Sequence, residues 1–307
     1  MSPFGTVLCV ASAAAFGAMG VFGKLAYGEG ATPGTLLTTR FTLAALLFWA
    51  LALVSPAARG ELRGLGRRDG LAALGLGVVG YGAQAGGYFT ALGRIDASLL
   101  SLLVYSFPVL VAVAAVALGR DPARPRTAVA LGLTTAGLVL VLRGAAAAAP
   151  DPVGTALGLG TAVVYGAYVL VSERLVQRLS PLVLATLVTT GAAASLTAGS
   201  AALGDLRPDR VTAAGFGWLA LLAVVSTVGA VVLFFAGLAR VGPTPASVVS
   251  TVEPLVTVGL AVAFLHETLG PAQLAGAGLV LAGVLVVVLT PGQVVPEPRS
   301  LPACASG

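Results

Sequence analysis

The sequence predicts an all-α integral membrane protein with ten transmembrane helices, arranged as two inverted five-helix repeats with both termini in the cytoplasm. Three observations indicate this fold class. The chain is 57% hydrophobic and only 9% charged, with a mean hydropathy of +0.99, whereas soluble domains carry about 25% charged residues. It contains ten long apolar runs. Residues 94–142 also align without a gap with residues 240–288, with 12 identities.

The apolar runs predict helices because an apolar helix of about 20 residues crosses a hydrocarbon core about 30 Å thick. A membrane β-barrel would instead alternate polar and apolar residues over ~10-residue segments, and the sequence has no such alternation. We number the predicted helices as spans 1 to 10. They cover residues 4–27, 31–54, 70–93, 97–118, 127–143, 153–175, 181–203, 214–238, 244–265 and 271–290.

The repeat divides the chain into a first five-helix unit at residues 1–148 and a second at 149–291, followed by a short Pro-rich cytoplasmic tail at 292–307. Because each unit has an odd number of crossings, the second must enter the membrane from the opposite side. The basic residues agree with this topology: with the N-terminus inside, eleven arginines lie in cytoplasmic segments and five basic residues lie outside, as the positive-inside rule requires. The net charge of +5 therefore reflects topology, and we expect no nucleic-acid partner.

Two prolines occupy matched positions in the repeats, Pro108 in span 4 and Pro254 in span 9. Each removes a backbone donor and crowds the carbonyl four residues earlier, which tends to kink a helix. A carbonyl freed at membrane depth must be buried in protein or line a wet cavity. We predict that both prolines act as hinges beside a cavity. The alternative is that they only shape the packing.

Matched glycines mark spans 5 and 10: Gly132 and Gly137 in the first repeat, Gly278 and Gly283 in the second. Small residues at such spacing let helix backbones approach closely in lipid. The sequence leaves two partners open for these faces, the other span of the same chain or a second copy in a homodimer.

Charged groups inside spans are costly and are therefore candidates for function. Glu253 lies near the middle of span 9, and the i, i+3, i+7 spacing puts Ser250 and Thr257 on its helix face. Arg40 in span 2 lies at a similar depth. Glu253 could bind a proton, a coupling ion or a cationic group of a substrate, and Arg40 could hold a substrate carboxylate. Alternatively the two form a fixed ion pair. Lys24, nearer the outer end of span 1, is a further candidate that could instead reach the headgroups.

Polar and aromatic stripes on three other spans predict a cavity lined by hydroxyls and rings, suited to a small amphipathic solute. Each stripe alone could be a set of hydrogen bonds between helices. The candidate binding residues are Tyr81, Gln84 and Tyr88 on span 3, Ser101 and Tyr105 on span 4, and Tyr165 and Tyr168 on span 6.

Metal, cofactor and enzymatic functions are not expected. The two cysteines, Cys9 and Cys304, are far apart in the sequence and form neither a ligand cluster nor a disulfide framework. The single histidine, His266, is too little for a metal site or a histidine-based catalytic group.

The segment 251–289 resembles the EamA family of the drug/metabolite transporter superfamily. That family typically has a Pro in helix 9, a Glu at the end of this helix, then Leu-Thr and a Gln before a Gly-rich helix 10. The matching positions here are Pro254, Glu267, Leu269 and Gln273, and in the first two spans Gly17, Lys24, Pro33 and Arg40. The pair Glu253-Pro254 is most similar to the threonine/homoserine-exporter group. The resemblance implies ten helices in two units and transport by alternating access. Glu267, at a membrane edge, is interpreted as a helix-terminus or gating residue.

The expected function is a secondary active transporter that exports or exchanges amino acids or related small metabolites across the cytoplasmic membrane. Protons or the solute gradient would drive it, and inverted repeats provide the two alternating arrangements, with the site near the midplane. A multidrug exporter for lipophilic cations is the first alternative. A non-transporting membrane subunit is the second.

Overall fold

The structure, a computed structural model, describes residues 3–118, 125–146, 150–241, 249–250 and 252–288. Every regular element in these residues is helical, and helix occurs in each of the ten predicted ranges, which confirms the all-helical prediction. Within the described part of the chain, six helical stretches are long and apolar enough to cross a membrane, and three further apolar helices are shorter. The predicted cytoplasmic tail at 292–307 lies outside the described residues.

Proline and hydroxyl residues set where many of these helices begin. Helices start at Pro33, Pro152, Pro181 and Pro271, where the missing N–H of proline has no intrahelical partner to lose. Thr32, Ser180 and Thr212 precede spans 2, 7 and 8, and their hydroxyls accept hydrogen bonds from backbone N–H groups of the first turn.

The first repeat contains Pro3–Gly17 and Met19–Gly28 (span 1), Pro33–Val54 (span 2), the short helix Pro56–Arg63, Arg67–Gly75, Leu76–Tyr81 and Gly82–Leu92 (span 3), Ala97–Val104 and Phe107–Ala117 (span 4), and Pro125–Ala146 (span 5). The second repeat contains Pro152–Val176 (span 6), Pro181–Ala202 (span 7), Ala213–Ala223, Val224–Gly229 and Ala230–Val241 (span 8), Glu253–Leu265 (span 9) and Pro271–Val288 (span 10).

Spans 4 and 9 are interrupted at matched positions beside their prolines. Span 4 stops at Val104 and restarts at Phe107, and Pro108 lies in the first turn of the second half. Span 9 is helical at 249–250, turns at Val252 and restarts at Glu253. The backbone at both turns stays close to helical, since Ser106 and Val252 have right-handed helical angles. Ser250 lies before the turn at Val252, and the prediction that it shares a helix face with Glu253 and Thr257 stays a prediction.

Spans 3 and 8 each contain one π-helical segment at corresponding places, Leu76–Tyr81 and Val224–Gly229. In a π-helix each N–H bonds to the carbonyl five residues earlier, and such segments occur frequently at functional sites. The two segments extend the internal repeat from sequence to local backbone geometry.

The packing of the spans also follows the repeat. Spans 5 and 10 pack against each other, as do spans 2 and 7 and spans 4 and 9. Each of the other main pairings has a counterpart in which every span is replaced by the equivalent span of the other repeat. Span 1 packs on span 8 as span 6 packs on span 3, span 1 on span 9 as span 6 on span 4, and span 2 on span 8 as span 7 on span 3.

Equivalent spans run antiparallel. Along spans 5 and 10, Gly137 lies against Gly276 whereas Gly283 lies against Thr134. Because they are small, Gly137 and Gly283 allow spans 5 and 10 to pack closely within the protomer. For these two glycines the partner is therefore the other span of the same chain. Gly132 and Gly278 have nothing within 4 Å of an added Cβ.

Candidate functional site

A cavity of about 620 Å³ lies between the two repeats. Spans 1 to 4 and 6 to 10 contribute to its wall. Ser172, near the end of span 6, and Pro181, at the start of span 7, line it, so the cavity extends toward the end of the bundle where these two spans meet. Most of its wall is aromatic or aliphatic.

A second cavity of about 120 Å³ continues from the first and is large enough to hold water. The two share a wall made of Phe16, Tyr81, Val104, Tyr105, Tyr165 and Glu253. The smaller cavity, which we call the head pocket, is also lined by Arg40, Gln84, Tyr88, Ser101 and Thr257. A solute with a polar head and an apolar body could therefore occupy both cavities at once.

Arg40 is buried to 2% exposure, yet it has no carboxylate partner among the described residues. Its Nε–H donates to the hydroxyl of Thr227 over 2.9 Å, and its guanidinium carbon lies 4.9 Å and 5.1 Å from the ring centres of Phe41 and Phe89. Cation–π contacts of this kind contribute up to about 2 kcal/mol when desolvated. The terminal guanidinium N–H groups have no hydrogen-bond partner in the described part of the chain, and Arg40 lines the head pocket.

Glu253 is the first residue of the second half of span 9 and lines both cavities. A negative side chain in the first helical turn interacts favourably with the helix dipole. Its carboxylate forms no ion pair or hydrogen bond with the residues that the structure describes. The predicted fixed pair with Arg40 is not formed here, although both side chains line the head pocket.

Three more polar side chains in the head pocket lack a protein partner within the described ranges: the amide of Gln84, the hydroxyl of Tyr88 and the hydroxyl of Ser101. Polar groups removed from bulk water normally have hydrogen-bond partners. The head pocket thus brings together a cation, an anion and three neutral polar groups that water or a solute can satisfy. This is the arrangement expected of a site for a polar, charged ligand.

An arc of aromatic rings borders the larger cavity. Phe107 and Tyr165 lie 4.1 Å apart between ring centres, Tyr165 and Tyr168 6.3 Å, and Tyr168 and Tyr81 5.8 Å. Tyr81 also makes an edge contact at 5.1 Å with Phe41, the ring beneath Arg40. The arc therefore runs from the large cavity to the head pocket and offers ring faces to an apolar or cationic group.

Glu267 joins the two repeats at the end of the bundle opposite the one toward which the large cavity extends. His266 ends span 9 in the left-handed conformation, with φ of 55°. The next residue, Glu267, accepts hydrogen bonds from the backbone N–H groups of Ala97 at 2.8 Å and Ser98 at 3.0 Å. A carboxylate from the second repeat thus caps span 4 of the first repeat.

The structure places eleven of the twelve predicted binding residues around these cavities. Lys24 is the exception: it lies near Glu267 and Asp96, outside both linings. Pro108 lines the large cavity, whereas Pro254 is buried behind it. Their roles in transport stay predictions.

Sequence reasoning missed Thr227 and the phenylalanines Phe16, Phe48 and Phe107. Phe16 could have been found, because the repeat aligns it with Tyr165 and both residues line both cavities. Thr227 belongs to a Ser-Thr pair inside a long apolar run. This is as clear a signal as the polar stripes on spans 3, 4 and 6. In the described ranges, no group of three His, Cys, Asp or Glu side chains could hold a metal ion.

The fold and the cavity define a multi-pass membrane protein with a solute-sized site between two related halves. The EamA-like transporter family matches the chain in two segments, residues 3–143 and 152–289. The chain belongs to this family. It is therefore a membrane transporter of the drug/metabolite transporter superfamily rather than a member of a known enzyme family.

Two relatives have the same extent. An uncharacterized transporter YcbK from Bacillus subtilis (strain 168) is 29% identical over 292 residues, 92% of this chain and 91% of the relative. An uncharacterized transporter from Archaeoglobus fulgidus is 28% identical over 283 residues, 92% of this chain and 96% of the relative. One solved crystal structure, 18% identical, superposes with a TM-score of 0.62 over 92% of this chain and 96% of that one, a likeness of fold alone.

Proposed function

We propose that the protein is a secondary active transporter that exports or exchanges amino acids or related small metabolites across the cytoplasmic membrane by alternating access. The proposal depends on one observation above all: Arg40 and Glu253 line the same small pocket without pairing. A zwitterionic head group would satisfy both, its carboxylate on Arg40 and its ammonium on Glu253. An apolar side chain would then extend along the aromatic arc.

The proposed topology has ten crossings in two inverted units, residues 1–148 and 149–291, with both termini in the cytoplasm. The antiparallel run of spans 5 and 10 supports the inversion. In this orientation the large cavity opens toward the cytoplasm and Glu267 closes the outer side. Inverted repeats provide a mirrored state with the opposite opening. Glu253, which has no cationic partner among the described residues, is also the proposed proton carrier during the return step.

A second candidate is export of lipophilic aromatic cations. The aromatic arc favours it, since ring faces attract desolvated cations, and so does Glu253, the single carboxylate among the described residues that line the cavities. The two candidates differ in their use of Arg40. An amino acid requires that guanidinium for its carboxylate, whereas a cation does not.

The test is counterflow of labelled amino acids in proteoliposomes. We expect the wild-type protein to accelerate exchange of at least one amino acid with an apolar side chain above the empty-liposome rate. Glu253→Gln and Arg40→Lys should each raise the apparent KM by about tenfold or more, because hydrogen bonds to charged groups contribute about 1.5–3 kcal/mol. Asp209→Asn, which changes an exposed carboxylate outside both cavities, is the matched control.

The outcomes separate the candidates. Exchange of every tested amino acid at the empty-liposome rate would refute amino-acid transport. Uptake of a lipophilic cation that depends on Glu253 but is unchanged in Arg40→Lys would establish the second candidate instead.

A further inference from the structure

Thr227 is the hydrogen-bond partner of Arg40 among the described residues. Its hydroxyl accepts the Nε–H of Arg40 at 2.9 Å and donates to the carbonyl of Leu222 at 3.0 Å. Thr227 is 1% exposed and Arg40 2%, so the contact is shielded from bulk solvent. Both hydrogen-bonding roles of the hydroxyl are fixed, and its lone pair is directed at the guanidinium.

The π-helical segment of span 8 makes this arrangement possible. A threonine hydroxyl in an ordinary α-helix bonds back to a carbonyl three or four residues earlier, as Thr186 does with Leu182 over 2.7 Å. Thr227 lies within the π-segment Val224–Gly229 and bonds to the carbonyl five residues earlier. The widened turn thus determines where the hydroxyl lies relative to span 2.

The contact decides which part of the guanidinium remains available. Arginine has five N–H donors in a planar fork, and a carboxylate binds it bidentately along one edge. With Nε–H taken by Thr227 and two phenyl rings close to the guanidinium carbon, the free donors are the four on the terminal nitrogens. The edge formed by these two nitrogens is therefore the one that can bind a carboxylate.

We propose that Thr227 is a positioning and specificity-determining residue: by engaging Arg40 Nε it presents the terminal guanidinium edge to the head pocket and so selects solutes with a carboxylate. This inference rests on the proposed function. It adds a residue on span 8 to a site otherwise built from spans 1 to 4, 6 and 9.

The test compares two probes in calorimetric titrations of the detergent-purified full chain. L-phenylalanine has the carboxylate, and L-phenylalaninol keeps the ammonium and the ring but replaces the carboxylate by a hydroxymethyl group. Thr227→Val keeps the side-chain shape and removes the hydroxyl. We expect it to weaken phenylalanine binding by about tenfold, the loss of one hydrogen bond to a charged group, and to change phenylalaninol binding by less than about twofold.

Two further variants separate positioning from folding. Thr227→Ser retains the hydroxyl and should bind phenylalanine within about twofold of wild type. Thr186→Val removes an equally buried hydroxyl that lines neither cavity, and its binding should be unchanged. Equal weakening for both probes in Thr227→Val, or the same loss in Thr227→Ser or Thr186→Val, would overturn the proposal.

A double-mutant cycle of Thr227→Val and Arg40→Met on thermal unfolding of the ligand-free protein distinguishes this proposal from the transport function. Residues in direct contact show non-additive effects, whereas independent ones add. If the wild type binds neither probe, amino-acid transport fails, and non-additive unfolding effects would still support the Thr227 contact. Additive effects would overturn it in either case.

Discussion

The pairing of spans 5 and 10 can be tested with two glycines of one helix. A Cβ added at Gly137 would lie 2.7 Å from the carbonyl oxygen of Gly276 and 2.8 Å from the backbone nitrogen of Val280. Both are backbone atoms, so span 10 itself must shift. A Cβ at Gly132 would meet nothing within 4 Å. Gly137→Ala and Gly132→Ala are therefore the same chemical change on a packed and on an open face.

The magnitudes follow from two terms. Replacing glycine by alanine inside a helix gains up to about 1 kcal/mol in both variants. Overpacking at Gly137 costs about 1–3 kcal/mol more. Because the helix term is common to both, the difference between the variants isolates the steric term. We expect Gly137→Ala to have a free energy of unfolding lower than Gly132→Ala by about 2 kcal/mol.

The assay is unfolding of the purified protein from mild detergent by titration with SDS, followed by loss of helical circular dichroism. Equal stability of the two variants would refute the close packing of spans 5 and 10. A loss of more than about 1 kcal/mol in Gly132→Ala, against the expected helix gain, would mean that a second copy covers the open face, as in the homodimer that the sequence left open.

Two other predictions concern the end of the bundle at which Glu267 joins the repeats. Glu267→Gln should favour opening at this end by about 1–2 kcal/mol, since hydrogen bonds from backbone N–H to a charged acceptor are stronger than to a neutral one. A single cysteine placed at Ser101 should then be labelled by a thiol reagent about 5–30-fold faster from that side. Glu61→Gln, which alters a hydrogen bond from the Ser180 N–H at the other end, should not have this effect. An unchanged labelling rate in Glu267→Gln would contradict the proposed gating role of Glu267. Partial burial raises the pKa of Asp96, and Glu267 raises it further while Lys24 opposes this. The folded state therefore binds the proton of Asp96 more tightly than the unfolded state does. The stabilisation of the fold that this proton contributes is complete at pH values below the ordinary pKa of 3.8 and is lost as the pH rises through the raised pKa. Asp96→Asn should abolish this pH-dependent part of the stability, so the melting temperature of the variant should exceed that of wild type only at pH values above the raised pKa. A difference in melting temperature that does not depend on pH would contradict the prediction.

Hydropathy was sufficient to locate the helices, because burial in lipid depends on local composition that the sequence displays directly. The charges Arg40 and Glu253 were found for the same reason. The turns that interrupt spans 4 and 9 were foreseen only as kinks, since proline allows both a kink and an interruption. The choice depends on what packs beside the proline: Gly17, for example, has the carbonyl oxygen of Glu253 only 2.8 Å from the position of an added Cβ.

The partners of the charges were beyond sequence reasoning. Arg40 and Thr227 are 187 residues apart, and Ala97 and Glu267 are 170 apart. Neither contact leaves a periodic signal, because each depends on how the repeats are docked. The sequence also could not show whether Glu253 is paired. The similar depths of Arg40 and Glu253 in the membrane agree equally well with an ion pair and with two unpaired groups in one pocket.

The scaffold is symmetric, but its chemistry is not. Span 2 packs on the π-segment of span 8, and span 7 packs on the π-segment of span 3. At the first place the contact is a guanidinium on a threonine hydroxyl. At the second the two backbones approach so closely that a Cβ on Gly77 would lie 2.1 Å from the carbonyl oxygen of Val188. Two inverted units with identical side chains would have equal energies open to either side. In the proposed alternating-access cycle, placing the cation at only one of the two contacts makes those energies unequal, and a carboxylate bound at Arg40 would alter one contact without altering its counterpart. Under this proposal, solute binding shifts the equilibrium between the two openings, which a symmetric site could not do.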